Sequence, residues 1–419
     1  MSYPNFNRLR KQKNLWTAWR HVFQTGRSAS VEIRTALAKF KQDDFSNIYR
    51  ICKELGANTF DFGAARGAPI KRPGKKPRPI VIPRTEARIV QRALLDELQR
   101  LPALTPYFKN PNSFGGIVDR DREAAIREVQ SELDKGAQYF VRSDIREFFT
   151  RIPRPQALAT LAAPLDSRAA ELLDRATHLE LDNADKLREL LSLFPSPAIG
   201  VAQGLCLSPL MGNVVLHAFD EALNGRGIRC IRFVDDFILL GPTEKAVMKA
   251  FDSAQRMLAT LQMSAYDPRT NADKAECGPP SHAIDFLGCL VERGRVQPNT
   301  KARARILEKA KSMLATSVGE FSDPASAYAK NATVSRTLYN LGNTLRGWRD
   351  SYNFCHAPDV FRNIDKEVDM LVRLYVERFS RAFSRAASDE ARLLLGVPIL
   401  ARSPNLRESA GAGFSEALA

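Results

Sequence analysis

The chain has 419 residues, 44% of them hydrophobic and 26% charged, which fits two or three globular domains with substantial cores. Sixty-two Lys and Arg against 47 Asp and Glu give a net charge of +15, an excess that favours a polyanionic partner, nucleic acid first. No apolar run is long enough to span a membrane, Met1 to Arg20 lacks a signal-peptide core, and six scattered cysteines with five isolated histidines argue against zinc; a cytoplasmic protein with reduced thiols is expected.

In chain order, residues 1 to about 60 read as helical, with Trp16, Trp19, Val22 and Phe23 on one face, as are Ile33, Leu37 and Phe40. Residues 61–83 turn to Gly, Pro, Lys and Arg, ending in a short strand at Ile80-Val81-Ile82. Such a basic loop is either a solvated turn or a grip on phosphates. The phosphate-cradling Gly-x-x-x-x-Gly-Lys loop is absent, because Pro69 stands where its first glycine would be. A helix from about Glu86 to Leu101 carries Arg88 and Arg92. Tyr139-Phe140-Val141 predicts a strand ending at Asp144, and residues 155–193 predict helix up to Pro195. Ser208-Pro209 starts another helix after the flexible loop Gly200–Gly204. A hairpin is expected over 229–240, a helix to about Met263, one strand from Ile284 to Val291, and basic helices from Lys301. Within these, Ile364, Val368, Leu371, Tyr375, Phe379 and Phe383 are expected in the core, and Ser403 to Ala419 are expected to be disordered.

The chemistry centres on Phe233-Val234-Asp235-Asp236, two carboxylates between the runs Ile231 to Val234 and Phe237 to Leu240. Two acids between buried strands are costly unless something positive pairs them, and a divalent cation is the simplest partner. An Asp-Asp surface turn is the alternative. Asp144, at the end of another strand, reads either as a helix N-cap or as a third ligand. Three carboxylates at one sheet edge can bind two Mg²⁺ ions, Mn²⁺ being a possible substitute, and such a pair serves in-line phosphoryl displacement.

This order of parts resembles the reverse transcriptases. Lys76-Pro77-Arg78-Pro79-Ile80, Arg88-Ile89-Val90-Gln91-Arg92-Ala93, Ser143-Asp144-Ile145-Arg146-Glu147-Phe148-Phe149, Ala202-Gln203-Gly204 with Leu207-Ser208-Pro209-Leu210, Phe233-Val234-Asp235-Asp236 and Phe286-Leu287-Gly288-Cys289 are similar to the family's blocks in order and spacing. Ala202, Ala87 and Phe233 depart from the commoner Pro, Asp and Tyr. The resemblance implies an α+β right-hand polymerase: N-terminal helices and fingers over 1–110, a palm with a small antiparallel sheet over 111–300, and a helical thumb over 301–402. It implies that Asp144, Asp235 and Asp236 are catalytic and, with Ile145, form the metal site. It implies nucleotide contacts from Arg78, Phe149, Gln203 and Lys274, with Phe149 excluding a 2′-hydroxyl. It implies nucleic-acid contacts from Lys75, Lys76, Arg88, Arg92 and Gly288.

Leu341–Arg349 with Tyr352 and Phe361 resembles the thumb of group II intron reverse transcriptases, which adds Arg346 and Trp348 to the nucleic-acid contacts. Trp348 and Tyr352 share a helix face, as core or as a stacking platform. The implied function is copying a structured, non-coding partner RNA into cDNA from dNTPs, in antiphage defence. An untemplated or protein-primed DNA polymerase and a maturase-like RNA-binding protein are the rivals. Oligomeric state is not legible.

Overall fold

The protein is described by a computed structural model over residues 3–400, apart from 73, 118, 179, 197, 198, 388 and 389 and the side chain of Lys75. The chain divides into two compact units, Met1–Ser281 and His282–Ala419. The tail from Ser403 lies outside the described residues.

The first unit opens with helices Pro4–Leu9, Gln12–Gly26, Val31–Lys41 and Asp44–Ala57. Their apolar stripes meet in one core, where Trp19 lies 4.5 Å from Phe40 between ring centroids and Leu15, Val22, Leu37 and Ile48 are buried. Asp43 caps the last of them by accepting from the Ser46 amide. The basic segment that follows is more ordered than its sequence suggests. It forms a complete antiparallel hairpin, β1 (Arg66–Arg72) with β2 (Lys75–Ile82). Lys and Arg occupy its exposed end, while Ala68 and Val81 face inward. Helix Thr85–Leu98 then packs on helix Gln12–Gly26.

The central sheet has the order β4-β5-β3-β6, all antiparallel: β3 (Tyr139–Asp144), β4 (Arg229–Phe233), β5 (Asp236–Gly241) and β6 (Glu276–Gly278). From Phe237 to Gly241 every residue of β5 is buried, as a strand covered on both faces requires. Helix Glu244–Thr260 contacts β3 and β5, and helix Arg122–Asp134 contacts β4. The predicted helix 155–193 is broken into helices Arg154–Ala162 and Ser167–Thr177, a single helical turn Ala184–Leu187 and a 3₁₀ segment Arg188–Leu193. Pro164 ends the first and Asp166 caps the second through the Ala169 amide.

The second unit begins with a three-stranded sheet, β7 (Ile284–Phe286), β8 (Cys289–Glu292) and β9 (Arg295–Pro298). The single strand expected over 284–291 is therefore a hairpin. Leu287 and Gly288 both take positive φ, +49° and +80°, the pair of values a tight two-residue turn needs. Helices Thr300–Gly319, Val334–Asp350 and Pro358–Arg385 follow, around Ala310, Leu314, Leu341 and Tyr375. Tyr375 buries its ring and shares a 2.8 Å hydrogen bond with Ser317 Oγ. Phe383, expected in the core, is exposed near the C-terminal end of its helix. Trp348 stands 5.0 Å from Tyr352 and, half-buried, packs against the cluster of Ala357, Val360 and Ile364. Among the described residues no helix is long and apolar enough to cross a membrane.

Candidate active site

Pairing of β3 with β5 sets Asp144 opposite Asp236, and pairing of β4 with β5 closes on Phe233 and Asp236. Val234 and Asp235 are left as a two-residue turn. Val234 takes φ +61°, a conformation that a β-branched residue rarely adopts and that stores roughly 1–3 kcal/mol. The turn is backed by Gly115, where a Cβ would lie 2.3 Å from Val234 Cγ2 and 2.6 Å from its amide nitrogen. Gly115→Ala should push the turn outward, costing about 1–3 kcal/mol of overpacking. Denaturant unfolding together with an activity assay checks this: loss of activity beyond the lost folded fraction is expected.

Asp144 acts on the Asp235 carboxyl at this sheet edge, and the Ile145 amide donates to the Asp235 carbonyl at 3.0 Å. Burial holds the Asp235 carboxyl above the usual carboxylate range, with Arg78, Arg232 and Asp144 pulling it down. Two acidic groups in contact, one resisting ionisation, fit a divalent cation that would supply the missing positive charge. Among the described residues, no three His, Cys, Asp or Glu side chains form a ready-made cage for an ion. The Asp144–Asp235 pair therefore suits a cation that fills its shell with backbone, water and substrate oxygens.

Arg78 stands exposed on β2, with its charge felt at Asp235. The Gln203 carbonyl accepts from the Val81 amide at 2.7 Å, which docks the Gly200–Gly204 segment on β2. Gly204 is required there: its φ is +111° and a Cβ would meet the Val81 carbonyl at 2.6 Å. Phe149 is half-buried, and its carbonyl accepts from Val201. Lys274 lies 5.7 Å from the Tyr266 ring, whose other cation is Arg146 at 4.5 Å; the Tyr266 amide donates to the Asp144 carbonyl. Of these, Arg78 reaches the carboxylates by its charge and Lys274 adjoins Tyr266, while Gln203 and Phe149 tie the Gly200–Gly204 segment to β2 and to the residues after Asp144.

Others are engaged elsewhere. Lys76 pairs with Glu147 at 3.2 Å, both exposed, an interaction worth about 0–1 kcal/mol. Arg92 pairs with Asp96 at 2.6 Å and contacts His21. Arg88 is half-buried with Cys206 near its charge. The Lys75 side chain lies outside the described residues. Gly288, Arg346 and Trp348 belong to the second unit, where Arg346 is exposed and donates to Asn343 Oδ1 at 3.2 Å.

Sequence reasoning passed over Arg232. It sits within the run read as apolar from Ile231 to Val234, yet it is completely buried against Asp220. The available signal was the charge itself, since a cation inside a buried strand demands a buried counter-charge.

The family model for reverse transcriptase (RNA-dependent DNA polymerase) matches residues 70–291, more than half of the chain. The chain belongs to the reverse transcriptase family. It is 28% identical over 175 residues to an uncharacterised 91 kDa protein in the cob intron of Schizosaccharomyces pombe, covering 42% of this chain and 20% of that one. It is 24% identical over 275 residues to protein YkfC of Escherichia coli, covering 55% of this chain and 67% of that one. The chain thus spans one fifth of the intron-encoded relative and two thirds of YkfC. Among solved structures, a partial Cas6-RT-Cas1–Cas2 complex aligns with a TM-score of 0.36 at 20% identity, over 62% of this chain and 43% of that one. Apo telomerase from Candida tropicalis aligns with a TM-score of 0.41 at 13% identity, over 57% and 55%.

Proposed function

We propose that this chain is an RNA-directed DNA polymerase that copies a structured, non-coding partner RNA into cDNA. The observation that carries the reading is that strand pairing sets Asp144 beside the strained turn that carries Asp235, under the charge of Arg78. In this reading Asp144 and Asp235, with the Ile145 backbone and Asp236 assisting, hold two Mg²⁺ ions or Mn²⁺ in their place. When bound, such ions activate a primer 3′-hydroxyl and stabilise the departing pyrophosphate.

The chain's own residues do the rest. Arg78 and Lys274 neutralise and orient the triphosphate. Gln203, fixed through its carbonyl on β2, contacts the nucleotide or template. Phe149 excludes a 2′-hydroxyl. Lys75, Lys76, Arg88 and Arg92 grip nucleic acid from the first unit; Gly288, Arg346 and Trp348 do so from the second. The fingers (with the N-terminal helices) are assigned to 1–110, the palm to 111–300 and the thumb to 301–402. A cytoplasmic role in antiphage defence is supported by the resemblance to bacterial group II-like enzymes, and phage plating with and without the gene tests it.

The enzymatic test is primer extension on RNA with Mg²⁺, comparing wild type with Asp235→Ala/Asp236→Ala. Extension by the wild type alone is expected; equal extension by both overturns the reading. Sequencing the RNA and DNA that co-purify should give one discrete RNA and its complement. Homopolymeric or random DNA would indicate untemplated synthesis instead.

A further inference from the structure

Behind the Asp235 turn lies a charge network that the chemistry above leaves unused. Arg232 and Asp220 are both 0% exposed. Arg232 Nε donates to Asp220 Oδ1 at 2.7 Å and Nη2 to Oδ2 at 2.6 Å, a bidentate pair. Nη1 and Nη2 both donate to Asn213 Oδ1 at 3.1 Å, and Nη1 also donates to the Val234 carbonyl at 2.9 Å. The surroundings complete the set. Asn110 Nδ2 donates to Asp220 Oδ2 at 2.7 Å, and Asn213 Nδ2 donates to the Gly115 carbonyl at 3.1 Å.

A buried ion pair is a poor source of stability, because desolvation offsets attraction and apolar residues of similar volume often serve as well. What such a pair supplies here is direction. The Val234 carbonyl belongs to the peptide entering Asp235, and Arg232 pins it. The Asp235 carbonyl belongs to the peptide leaving it, and the Ile145 amide pins that one at 3.0 Å. With both flanking peptides held, the Cα–Cβ bond of Asp235 has one orientation, which carries its carboxylate to Asp144. The strained φ of Val234 needs such a restraint to persist.

We infer that Arg232, locked by Asp220 and Asn213, is a positioning residue that holds the Val234 carbonyl and thereby aims the Asp235 carboxylate into the cation site. This rests on the metal-binding reading of Asp144 and Asp235. The test is Mn²⁺ binding to the full chain, followed by electron paramagnetic resonance, alongside primer extension. Arg232→Met, folded by circular dichroism, should bind Mn²⁺ about 10–100-fold more weakly, the usual scale for outer-shell partners of metal ligands. Its kcat should fall by a similar factor, with KM for dNTP little changed.

The sign separates this role from a purely electrostatic one: loss of a cation beside Asp235 would by itself tighten Mn²⁺ binding. Adding Val234→Gly to Arg232→Met should recover part of the loss, because glycine takes positive φ without strain. Unchanged or tighter binding in Arg232→Met, or no recovery with glycine, overturns the inference. If Arg232→Met does not fold, Asn213→Ala keeps the ion pair but loosens the guanidinium, and wild-type Mn²⁺ affinity there overturns it equally. A wild type that binds Mn²⁺ through Asp235 yet extends no primer refutes the polymerase reading alone. Wild type without Mn²⁺ at Asp235 refutes both.

Discussion

Asp235→Asn is expected to cut primer extension by about a thousandfold or more, the order lost when a group that stabilises reaction charge is removed, while the fold is kept. The Asp235 carboxyl resists ionisation because the fold takes it out of water, an effect that outweighs the opposing pull of Arg78, Arg232 and Asp144. Its folded pKa is raised, so the stability linked to its proton is fully present below the ordinary Asp value of 3.8 and is lost as pH rises through the raised value. In EDTA at neutral pH, away from the acid range where the proton on Asp235 contributes its full stability, Asp235→Asn should melt at a higher temperature than wild type. The gap should close as the pH falls through the acid range.

Adding Mg²⁺ should reverse the order, since only the ion-binding form gains stability by mass action. Melting curves at several pH values, with and without Mg²⁺, check each step. Wild-type extension by the Asn variant would remove Asp235 from the chemistry.

Phe149→Ala is expected to reduce preference for dNTP over rNTP by roughly 10–200-fold, the range that pocket contacts discriminate without hydrogen bonds. Phe148 and Phe149 are neighbours with T-shaped rings 5.3 Å apart, but their places differ. Phe148 is 3% exposed and packs so close to Gly212 that a Cβ there would meet its ring at 2.8 Å. Phe149 is half-buried, with its backbone tied to Val201. Phe148→Ala should therefore cost about 3–5 kcal/mol of stability, and Phe149→Ala distinctly less. Ratios of kcat/KM for matched dNTP and rNTP, beside urea unfolding of both variants, separate gate from core. Unchanged selectivity in Phe149→Ala would make it a packing residue only.

Several parts of the site were legible because short contiguous segments carry them. Asp235-Asp236 interrupts two apolar runs, Gln203-Gly204 lies in a loop before the Ser208-Pro209 helix start, and Asp144 ends a strand that opens on Tyr139-Phe140-Val141. The basic hairpin was half legible: its exposed Lys and Arg hide the alternation of β1, so only Ile80–Ile82 reads as strand. The Leu287-Gly288 turn was not legible, since leucine gives no sign of the positive φ it adopts. The same holds for Val234.

Arg232 was lost inside an apolar run. Its partners Asp220 and Asn213 lie 12 and 19 residues earlier on helices, where nothing local marks them.

By itself the sequence determined the family, the α+β class and the identity of the acidic and basic groups, because each is written in a few adjacent residues. Only the tertiary structure decided how they are aimed. It brought Asp144 onto Asp235, extended the charge of Arg78 to that pair, and set a buried cation behind the turn. Those relations depend on strand register and on helices distant in sequence. A side chain's direction comes from backbone hydrogen bonds that no linear pattern encodes.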